Sequence, residues 1–378
     1  MREKFGHLPE KDSAIWVHAV SVGEVGASIR LLNKLRAEYP RAPLILSTIT
    51  DTGQKVANEK APEGTSVVYL PFDLKFLLER CLRRTKPRAF LVVETELWPN
   101  IFRVLAGKGV PVLVLNGRIS EKSSKGYRKV SFFMKKVFSF VSAFGMQGQV
   151  DAERLGSIGA EQAKINVLGN FKFDMDMAGE VPSWARSLSG AIIVAGSTHK
   201  GEEELILAAF IENIKFFPDL KLILAPRHPE RFEEVEDILK RSGVPYMKRS
   251  EISDLHAPAA SVILLDTVGE LSAVYGIARI AIVGKSFYGV GGQNPLEPAS
   301  WGKAIICGPH MENFPFIEDF YREGAAFEVG AAALPKKIKE LLIAPDKARS
   351  AGQKAREIYL RNSGAVDRAM GIIRKYLG

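Results

Sequence analysis

Residues 280–298 have the sequence IAIVGKSFYGVGGQNPLEP, in which a short apolar run is followed by a glycine-rich loop. The apolar run Ile280–Val283 is typical of a strand buried on both faces of a parallel sheet. The loop leads into a predicted helix whose first turn carries Asn294 and Glu297. Strand, loop and helix in this order form the repeating unit of α/β proteins, so this stretch predicts a parallel α/β fold.

The same pattern recurs along the rest of the chain. Short apolar runs alternate with amphipathic segments such as Glu24–Ala37, Gly201–Asn213 and Glu230–Arg241. The strand candidates in the first half are Ala14–Ala19, Leu44–Ser47, Ala89–Val93, Val110–Leu115 and Ala143–Gln147. Those in the second half are Ala191–Ala195, Lys221–Ala225, Val262–Leu265, Ile280–Val283 and Ala304–Ile306. Because the alternation occurs twice, we predict two Rossmann-like domains, each with a doubly wound parallel sheet.

The predicted domain organisation has three segments. Residues 1–175 form an N-terminal domain and residues 191–378 a C-terminal domain. Residues 176–190 form the linker, because they lack a clean apolar period. The final stretch, Lys347–Leu377, is predicted as a long basic amphipathic helix or a helix pair, and its terminal helix is a candidate to cross back to the first domain.

The composition excludes several classes of protein. Of the 378 residues, 46% are hydrophobic and 25% are charged, a balance that excludes extensive disorder. The chain has only two cysteines, which excludes a disulfide scaffold and a cysteine-rich zinc site and favours a reducing compartment. No apolar run approaches the roughly 18 residues that span a bilayer, and the first residues lack a signal-peptide pattern.

The positive charge is unevenly distributed. The net charge is +9, and +8 of it lies in residues 1–180. A basic first half suggests an anionic partner, such as nucleic acid, anionic lipid or a phosphorylated substrate, although a solvated basic surface explains the same charge. Residues 122–145 interleave basic residues with phenylalanines, which fits either an interfacial amphipathic helix or a core helix with a solvated basic side.

Carboxylates follow two of the predicted strands in the first half. Glu24 lies in a small-residue loop or in the first helical turn, where it can act as a general base or complement the helix dipole. Glu94 and Glu96 directly follow the strand Ala89–Val93, and a buried Glu94 requires a cation or a hydrogen-bond donor. Lys172 is a candidate counter-charge, so Glu94 and Lys172 form either a functional pair or a structural salt bridge.

Three strand ends in the second half carry residue types that suit a nucleotide. Pro226 and Arg227 follow a strong strand, and an arginine at a strand end suits phosphate. Residues 266–270 follow the next strand and begin a helix. In residues 289–297, the glycine-rich loop and the helix N-terminus can hold phosphate, and a carboxylate one turn later can bind ribose hydroxyls.

Together these motifs resemble one known family, the bacterial 3-deoxy-D-manno-octulosonic acid (Kdo) transferases. The matching motifs occur in order along nearly the whole chain: SVGE (21–24), TITDTG (48–53), ETELWPN (94–100), NGRIS (116–120), NFKFD (170–174), STHKGEE (197–203), PRHPER (226–231), DTVGE (266–270) and NPLEP (294–298). The resemblance implies the GT-B glycosyltransferase architecture, with two Rossmann-like domains facing each other across a cleft. It also implies inverting transfer of Kdo from CMP-Kdo to a hydroxyl of a lipid A precursor (lipid IVA) in lipopolysaccharide biosynthesis, without a metal or a cofactor.

The resemblance also implies roles for individual residues. Glu24 matches the family's catalytic base, and Glu94 and Lys172 match residues that support the transition state. The residues that match CMP-binding segments are Pro226, Arg227, Val268, Gly269, Glu270, Asn294, Pro295, Leu296 and Glu297. The implied partners are CMP-Kdo on the second domain, the lipid A precursor on the first domain and an anionic membrane surface, but not nucleic acid. The implied location is the cytoplasmic face of the bacterial inner membrane.

Three positions depart from the pattern of the family. Val268 stands where methionine is common, Lys285 stands where glycine is common, and Gln293 stands where histidine is common. Most members also begin with a hydrophobic anchor, which we expect to precede the segment given by this sequence. Two other functions remain as alternatives: a GT-B-like sugar-nucleotide epimerase and a non-catalytic protein that binds anionic lipid.

Overall fold

Two seven-stranded sheets organise the chain in the computed structural model, which describes residues 2–174, 179–252 and 260–378. The first sheet belongs to a unit formed by Met1–Met175 and Asn362–Gly378, and the second belongs to a unit formed by Asp176–Arg361. Neighbouring strands pair in parallel in both sheets. The predicted fold class, α/β with two doubly wound sheets, is therefore confirmed.

The first sheet has the strand order β3-β2-β1-β4-β5-β6-β7. Its strands are β1 (Ile15–His18), β2 (Leu44–Thr48), β3 (Ser66–Tyr69), β4 (Ala89–Val93), β5 (Val112–Gly117), β6 (Ala143–Met146) and β7 (Ile165–Val167). Both faces of the sheet are covered, because Trp16 packs in one hydrophobic core and its neighbours Ile15 and Val17 pack in another. Burial on both faces explains why β1 is an almost continuous apolar run.

Helices cover both faces of the first sheet. They are α1 (Val22–Glu38), α2 (Asp51–Lys60), α3 (Lys75–Thr85), α4 (Pro99–Ala106), α5 (Glu121–Lys129), α6 (Ser131–Ser139), α7 (Gln149–Ile158) and, from the end of the chain, α16 (Ala365–Leu377). Side chains of α3, α4, α6 and α7 enter one core, and side chains of α1 and α16 enter the other. The Asp174 carboxylate accepts hydrogen bonds from the Gly364 and Val366 N–H groups, which fixes the start of α16.

The second sheet has the order β10-β11-β9-β8-β12-β13-β14. Its strands are β8 (Ile192–Thr198), β9 (Lys221–Pro226), β10 (Tyr246–Lys248), β11 (Val262–Leu264), β12 (Ile280–Val283), β13 (Ala304–Cys307) and β14 (Ala326–Glu328). Its helices are α8 (Ser183–Arg186), α9 (Glu202–Ile214), α10 (Phe232–Ser242), α11 (Leu271–Val274), α12 (Leu296–Ser300), α13 (Ile317–Glu323), α14 (Leu334–Ile343) and α15 (Pro345–Asn362). Strand β8 is central, so the loops after β9, β8 and β12 lie side by side at the carboxyl edge.

All ten predicted strands are present, and the four that the sequence analysis missed are β3, β7, β10 and β14. These four are the outermost strands of the two sheets. They have three or four residues each, and most of those residues are only partly buried. An edge strand has one neighbour and an incomplete cover, so it lacks the apolar run by which the inner strands were recognised.

The predicted linker, residues 176–190, and the predicted terminal segment, Lys347–Leu377, can be compared with the structure. Residues 176–178 of the predicted linker lie outside the described residues, and further along it α8 carries Trp184 into the core of the second unit. The predicted terminal segment forms the pair α15 and α16, of which α16 belongs to the first unit. Among the helices that the structure describes, none is both long and apolar enough to cross a bilayer.

Candidate functional site

Glu24 occupies the first turn of α1, at the carboxyl end of β1. Its carboxylate accepts hydrogen bonds from the Val20 N–H at 2.7 Å and the Ser21 hydroxyl at 2.9 Å, and the Ser21 oxygen accepts the Glu24 N–H at 3.4 Å. This reciprocal arrangement is close to a capping box, so the helix-capping role is present in the structure. Glu24 is nevertheless 9% exposed, and each carboxylate oxygen retains a second lone pair for another partner.

Glu94 directly follows β4 and has a left-handed backbone, with a φ of +64°. Its N–H donates to the Leu115 carbonyl at 2.8 Å, which holds this conformation. Burial raises the pKa of the Glu94 carboxyl, and the negative charge of Glu24 raises it further. The cations Lys172 and Arg118 act in the opposite direction. A strained backbone at a partly buried carboxylate is typical of a functional site.

Glu96 is the third carboxylate at this edge, and the sequence analysis gave it no role. Burial raises the pKa of Glu96 to about 7, and the charges of Glu24 and Glu94 act in the same direction. A carboxyl with a pKa near neutrality can both give and take a proton at cellular pH. The two closely spaced glutamates after a buried strand were a signal in the sequence that Glu96 could take part in the site. The burial of Glu96, which raises its pKa, depends on the fold.

Lys172 lies on a short 3-10 turn, Phe171–Phe173, that is fixed by two side chains. The Asn170 carboxamide oxygen accepts the Lys172 N–H at 2.9 Å, and the Asn116 carboxamide oxygen accepts the Phe171 N–H at 2.9 Å. Because Asn116 belongs to β5, the turn is attached to the end of that strand. This support places the Lys172 side chain within electrostatic range of Glu94.

The structural salt bridge considered for Glu94 and Lys172 is not formed. Within residues 2–174, 179–252 and 260–378, no ion pair joins the two groups, and the Lys172 ammonium has no hydrogen-bond partner. Lys172 influences Glu94 through space instead, since its charge opposes the larger effect of burial on the pKa of Glu94. An unpaired cation beside a cluster of carboxylates remains available to an anionic ligand.

His18 was also missed, although it is the last residue of β1. Its Nδ1 lies 3.0 Å from the Ser47 carbonyl oxygen and 2.9 Å from the Ser47 hydroxyl. Burial lowers the pKa of His18 to about 4, against a smaller upward effect of Ser47, so the ring is neutral at cellular pH. The ring packs edge-on against Trp98, in the segment that carries Glu94 and Glu96. We interpret His18 as a support for that segment.

In the second unit, the structure brings together two of the predicted nucleotide-binding side chains. Arg227 is exposed directly after Pro226, the buried last residue of β9, and Glu297 lies in the first turn of α12. Burial raises the pKa of Glu297, and the charge of Arg227 lowers it, so the two groups lie within electrostatic range. The Arg227 N–H donates to the Thr198 carbonyl at 3.0 Å, which ties the end of β9 to the end of β8.

The glycine-rich loop leads from β12 to α12 along a constrained path. Gly292 has a φ of +68°, and its N–H donates to the Lys285 carbonyl at 3.0 Å. The Asn294 carboxamide oxygen accepts the Leu296 N–H at 3.1 Å, and Pro295 and Leu296 are buried. Of the predicted residues in this loop, Pro295 and Leu296 therefore anchor the backbone, whereas the Asn294 and Glu297 side chains carry the polar atoms.

The predicted residues 268–270 have different surroundings. Val268 and Gly269 are exposed, and Gly269 has a φ of +95°. The Glu270 carboxylate accepts hydrogen bonds from Arg249 Nε and Trp184 Nε1, each at 3.2 Å. Glu270 therefore holds its own loop in place, and the exposed backbone of Val268 and Gly269 is the part that can meet a ligand.

The basic segment of residues 122–145 contains two short helices rather than one, because α5 and α6 are separated at Val130. Phe132 is 90% exposed and Phe133 is 54% exposed, whereas Phe138 is buried in the core. The buried Phe138 fits a core helix with a solvated basic side, whereas Phe132 and Phe133 do not pack in the core. We call the exposed part the α5–α6 surface, which comprises Lys125, Lys129, Val130, Phe132, Phe133, Lys135 and Lys136.

Two doubly wound parallel sheets in one chain define its fold class as GT-B, the architecture expected from the sequence. The crystal structure of MurG from Acinetobacter baumannii aligns with 97% of this chain and 100% of its own, with a TM-score of 0.60 and 13% identity. A UDP-GlcNAc 2-epimerase from Neisseria meningitidis aligns with 92% of this chain and 99% of its own, with a TM-score of 0.55 and 11% identity. At these identities, both likenesses show the fold alone.

The sequence comparisons define the family. A family model described as 3-deoxy-D-manno-octulosonic-acid transferase (kdotransferase) matches residues 1–175. The 3-deoxy-D-manno-octulosonic acid transferase of Haemophilus influenzae is 36% identical over 374 residues, which cover 96% of this chain and 87% of that protein. The chain belongs to the 3-deoxy-D-manno-octulosonic acid transferase family and is a glycosyltransferase, as the sequence motifs predicted.

The raised pKa of Glu96 predicts a pH-dependent stability. Between pH 4.5 and about 7, the unfolded chain releases the Glu96 proton while the folded chain keeps it. The contribution of Glu96 to the free energy of unfolding is therefore fully present below pH 4.5, and it is lost as the pH rises through about 7. Glu96→Gln removes this dependence, so its free energy of unfolding relative to wild type should rise between pH 5 and pH 8. We expect a rise of about 1–2 kcal/mol, less than the full pKa shift would give, because water screens part of the charge of a half-buried carboxylate.

Differential scanning calorimetry at both pH values measures this difference. Glu59→Gln is the matched control for the loss of a carboxylate, because Glu59 lies exposed on α2 of the same unit. Its stability relative to wild type should be the same at both pH values. A constant difference between Glu96→Gln and wild type would show that Glu96 does not retain a proton in the folded chain.

Proposed function

We propose that this chain transfers Kdo from CMP-Kdo to a hydroxyl of a lipid A precursor, lipid IVA, in lipopolysaccharide biosynthesis. The observation that carries the proposal is family membership, because the similarity extends over 96% of the chain. The acceptor binds the first unit and CMP-Kdo binds the second unit. Transfer proceeds by direct displacement at the anomeric carbon and inverts it, and it requires neither a metal nor a cofactor.

Glu24 is the proposed general base. A sugar hydroxyl becomes an adequate nucleophile when its proton is accepted as the new bond forms. The Glu24 carboxylate is held in one orientation by Val20 and Ser21, and it is not fully buried. These features support a base that is positioned before the acceptor arrives, which lowers the entropic cost of reaching the transition state.

Two cations without an ion pair among the residues that the structure describes are proposed to stabilise the developing negative charge. CMP leaves as an anion, so its departure needs charge stabilisation more than protonation. Lys172, with Glu94 beside it, serves in the first unit, and Arg227 serves in the second. Glu297 is proposed to bind ribose hydroxyls, and Asn294 and the exposed backbone of Val268 and Gly269 line the nucleotide site.

The α5–α6 surface is proposed to bring the first unit to the cytoplasmic face of the inner membrane, where the acceptor lies. Exposed phenylalanines next to lysines have the chemistry of an interfacial surface, since the rings enter the headgroup region and the lysines attract anionic lipid. In residues 121–140, Glu121 is the only acidic residue. This composition supports attraction to anionic lipid.

Incubation of the chain with CMP-Kdo, with and without lipid IVA in detergent, tests the proposed function. We expect CMP release that depends on the acceptor, together with a lipid product whose mass has increased by one or more Kdo residues. Conversion of the sugar nucleotide without an acceptor would favour an epimerase. Lipid binding without any turnover would favour a non-catalytic lipid-binding protein. Either result would overturn the proposal.

Glu24→Gln should lower the turnover number by about 100- to 10,000-fold, because general-base catalysis is lost. The glutamine oxygen can still accept the Val20 N–H, and its NH2 group can donate to the Ser21 hydroxyl, so the unfolding temperature and the affinity for CMP should stay close to wild type. Ser21→Ala is the matched control, because it removes a capping hydrogen bond and keeps the carboxylate. It should cost about 0.5–2 kcal/mol of stability and should lower the turnover far less than Glu24→Gln does, because the base remains and only one of the two groups that orient it is lost. Near-normal turnover in Glu24→Gln would refute the assignment.

The α5–α6 surface should bind anionic vesicles more tightly than neutral ones, and added salt should weaken the binding. Replacing Lys135 and Lys136 by glutamate should lower the affinity at least about tenfold, as each basic residue near an anionic surface contributes about 1 kcal/mol. Phe132→Ser should weaken the binding to anionic vesicles. Phe216→Ser is the control, because Phe216 is also exposed (58%) but lies on the second unit, and it should not change the binding. Sedimentation with vesicles measures the affinities. Equal binding to neutral and anionic vesicles, or none at low salt, would exclude this surface.

A further inference from the structure

The loop after β12 carries a lysine in an unusual backbone conformation. Lys285 has a φ of +56°, in the left-handed region that residues with a Cβ rarely adopt. The preceding Gly284 lies so close to β8 that a Cβ there would be 2.2 Å from the Ser197 carbonyl oxygen. The loop thus leaves β12 in close contact with the end of β8. A lysine at such a position requires an explanation, because glycine adopts this conformation without strain.

A buried carboxylate fixes the backbone of this loop. Glu202 accepts hydrogen bonds from the N–H groups of Lys285 at 2.6 Å, Ser286 at 2.9 Å, Phe287 at 3.0 Å and His199 at 3.0 Å. All four donors are main-chain groups, so any residue at position 285 other than proline would provide the same bond. The hydrogen bonds therefore explain the shape of the loop but do not explain the choice of lysine.

The Lys285 ammonium has no ion pair or hydrogen bond with the protein in the parts of the chain that the structure describes. The residue is nevertheless half-buried. Its charge reaches His199 at the end of β8: burial lowers the pKa of His199, and the charges of His228 and Lys285 lower it further. An ammonium group without a hydrogen bond or an ion pair in the described residues is available to an anionic ligand.

Arg227 provides a second cation on the other side of β8. Strand β8 lies between β9, which precedes Arg227, and β12, which precedes Lys285. Neighbouring strands are about 4.8 Å apart, so the two residues start from strand ends separated by about 10 Å. The Arg227 guanidinium also has no hydrogen-bond partner in the described ranges. Two long cationic side chains can therefore converge on one anion in front of the end of β8.

We propose that Lys285 binds an oxyanion of the donor substrate together with Arg227. The inference rests on the proposed function and extends the donor site to a residue that none of the CMP-binding motifs includes. CMP-Kdo offers two such oxyanions, the phosphate and the carboxylate of the sugar, and both accept charge-assisted hydrogen bonds from an ammonium group. The left-handed backbone of Lys285 then serves to direct the ammonium toward the end of β8.

Replacement of Lys285 by glycine separates this role from a structural one. Lys285→Gly removes the ammonium and the backbone strain together. If Lys285 had only a structural role, this variant would be as stable as wild type or more stable, and it would be equally active. Lys285→Asn removes the charge in a residue type that tolerates the left-handed region, and Lys285→Arg keeps a cation. Lys86→Gly is the matched control, because Lys86 is an exposed lysine with a φ of +35° in the first unit.

Calorimetric titration with cytidine and with CMP, the KM for CMP-Kdo and the unfolding temperature are the measurements. We expect Lys285→Gly and Lys285→Asn to keep or raise the unfolding temperature. Both variants should lower the affinity for CMP, or raise the KM for CMP-Kdo, by roughly tenfold or more. This is the change expected when one hydrogen bond to a charged group is lost. Lys285→Arg should recover most of that loss, and Lys86→Gly should behave as wild type in every assay of the donor.

The measurements distinguish the two oxyanions. Weaker binding of CMP with unchanged binding of cytidine assigns the phosphate to Lys285. Unchanged binding of CMP with a raised KM for CMP-Kdo assigns the sugar carboxylate. Wild-type affinity and wild-type KM in both neutral variants would overturn the inference and leave the proposed function intact. A wild-type chain that neither binds CMP nor consumes CMP-Kdo would overturn the proposed function, and the inference with it.

Discussion

Parallel pairing of the strands is the constraint on which the rest of this structure depends. In a parallel sheet all strands end at one edge, so residues that are distant in sequence meet there, as Glu24, Glu94 and Lys172 do in the first unit. Each strand must also turn sharply into the segment that follows it. Four of the six described non-glycine residues with positive φ lie at or next to such strand ends: Glu94, Asn116, Ser197 and Lys285. Chemistry and backbone strain are therefore concentrated in the same places.

The two units place a glutamate at equivalent positions but give it different environments. Glu24 lies in the first turn of the helix after β1, and Glu202 lies in the first turn of the helix after β8. Glu202 is fully buried and accepts four main-chain N–H groups, so its oxygens are committed to the loop that carries Lys285. Glu24 accepts two hydrogen bonds and is not fully buried. Of the two glutamates, Glu24 therefore has the carboxylate that is able to meet a substrate.

The inner strands could be predicted because burial on both faces leaves an apolar run in the sequence, whereas edge strands such as β10, with the sequence YMK, leave none. Glu24 and Arg227 could be proposed as site residues because they directly follow strands. The raised pKa of Glu96 could not be predicted, since it depends on burial and on the charges of Glu24 and Glu94. The charge of Lys172 does act on Glu94, as expected of a counter-charge, but no ion pair joins the two side chains in the described residues, and the sequence alone left that open.

The three glutamates of the first unit also limit one another's charge. Glu24 and Glu94 both act to keep the proton on Glu96, and Glu24 does the same to Glu94, in addition to the larger effect of burial. The Glu94 and Glu96 carboxyls therefore keep their protons to a higher pH than ordinary glutamates do. For the proposed reaction this matters because a fully ionised cluster of carboxylates would repel a phosphorylated lipid. Protonation of Glu94 and Glu96, favoured by burial and by the neighbouring charges, lowers that repulsion next to the proposed base.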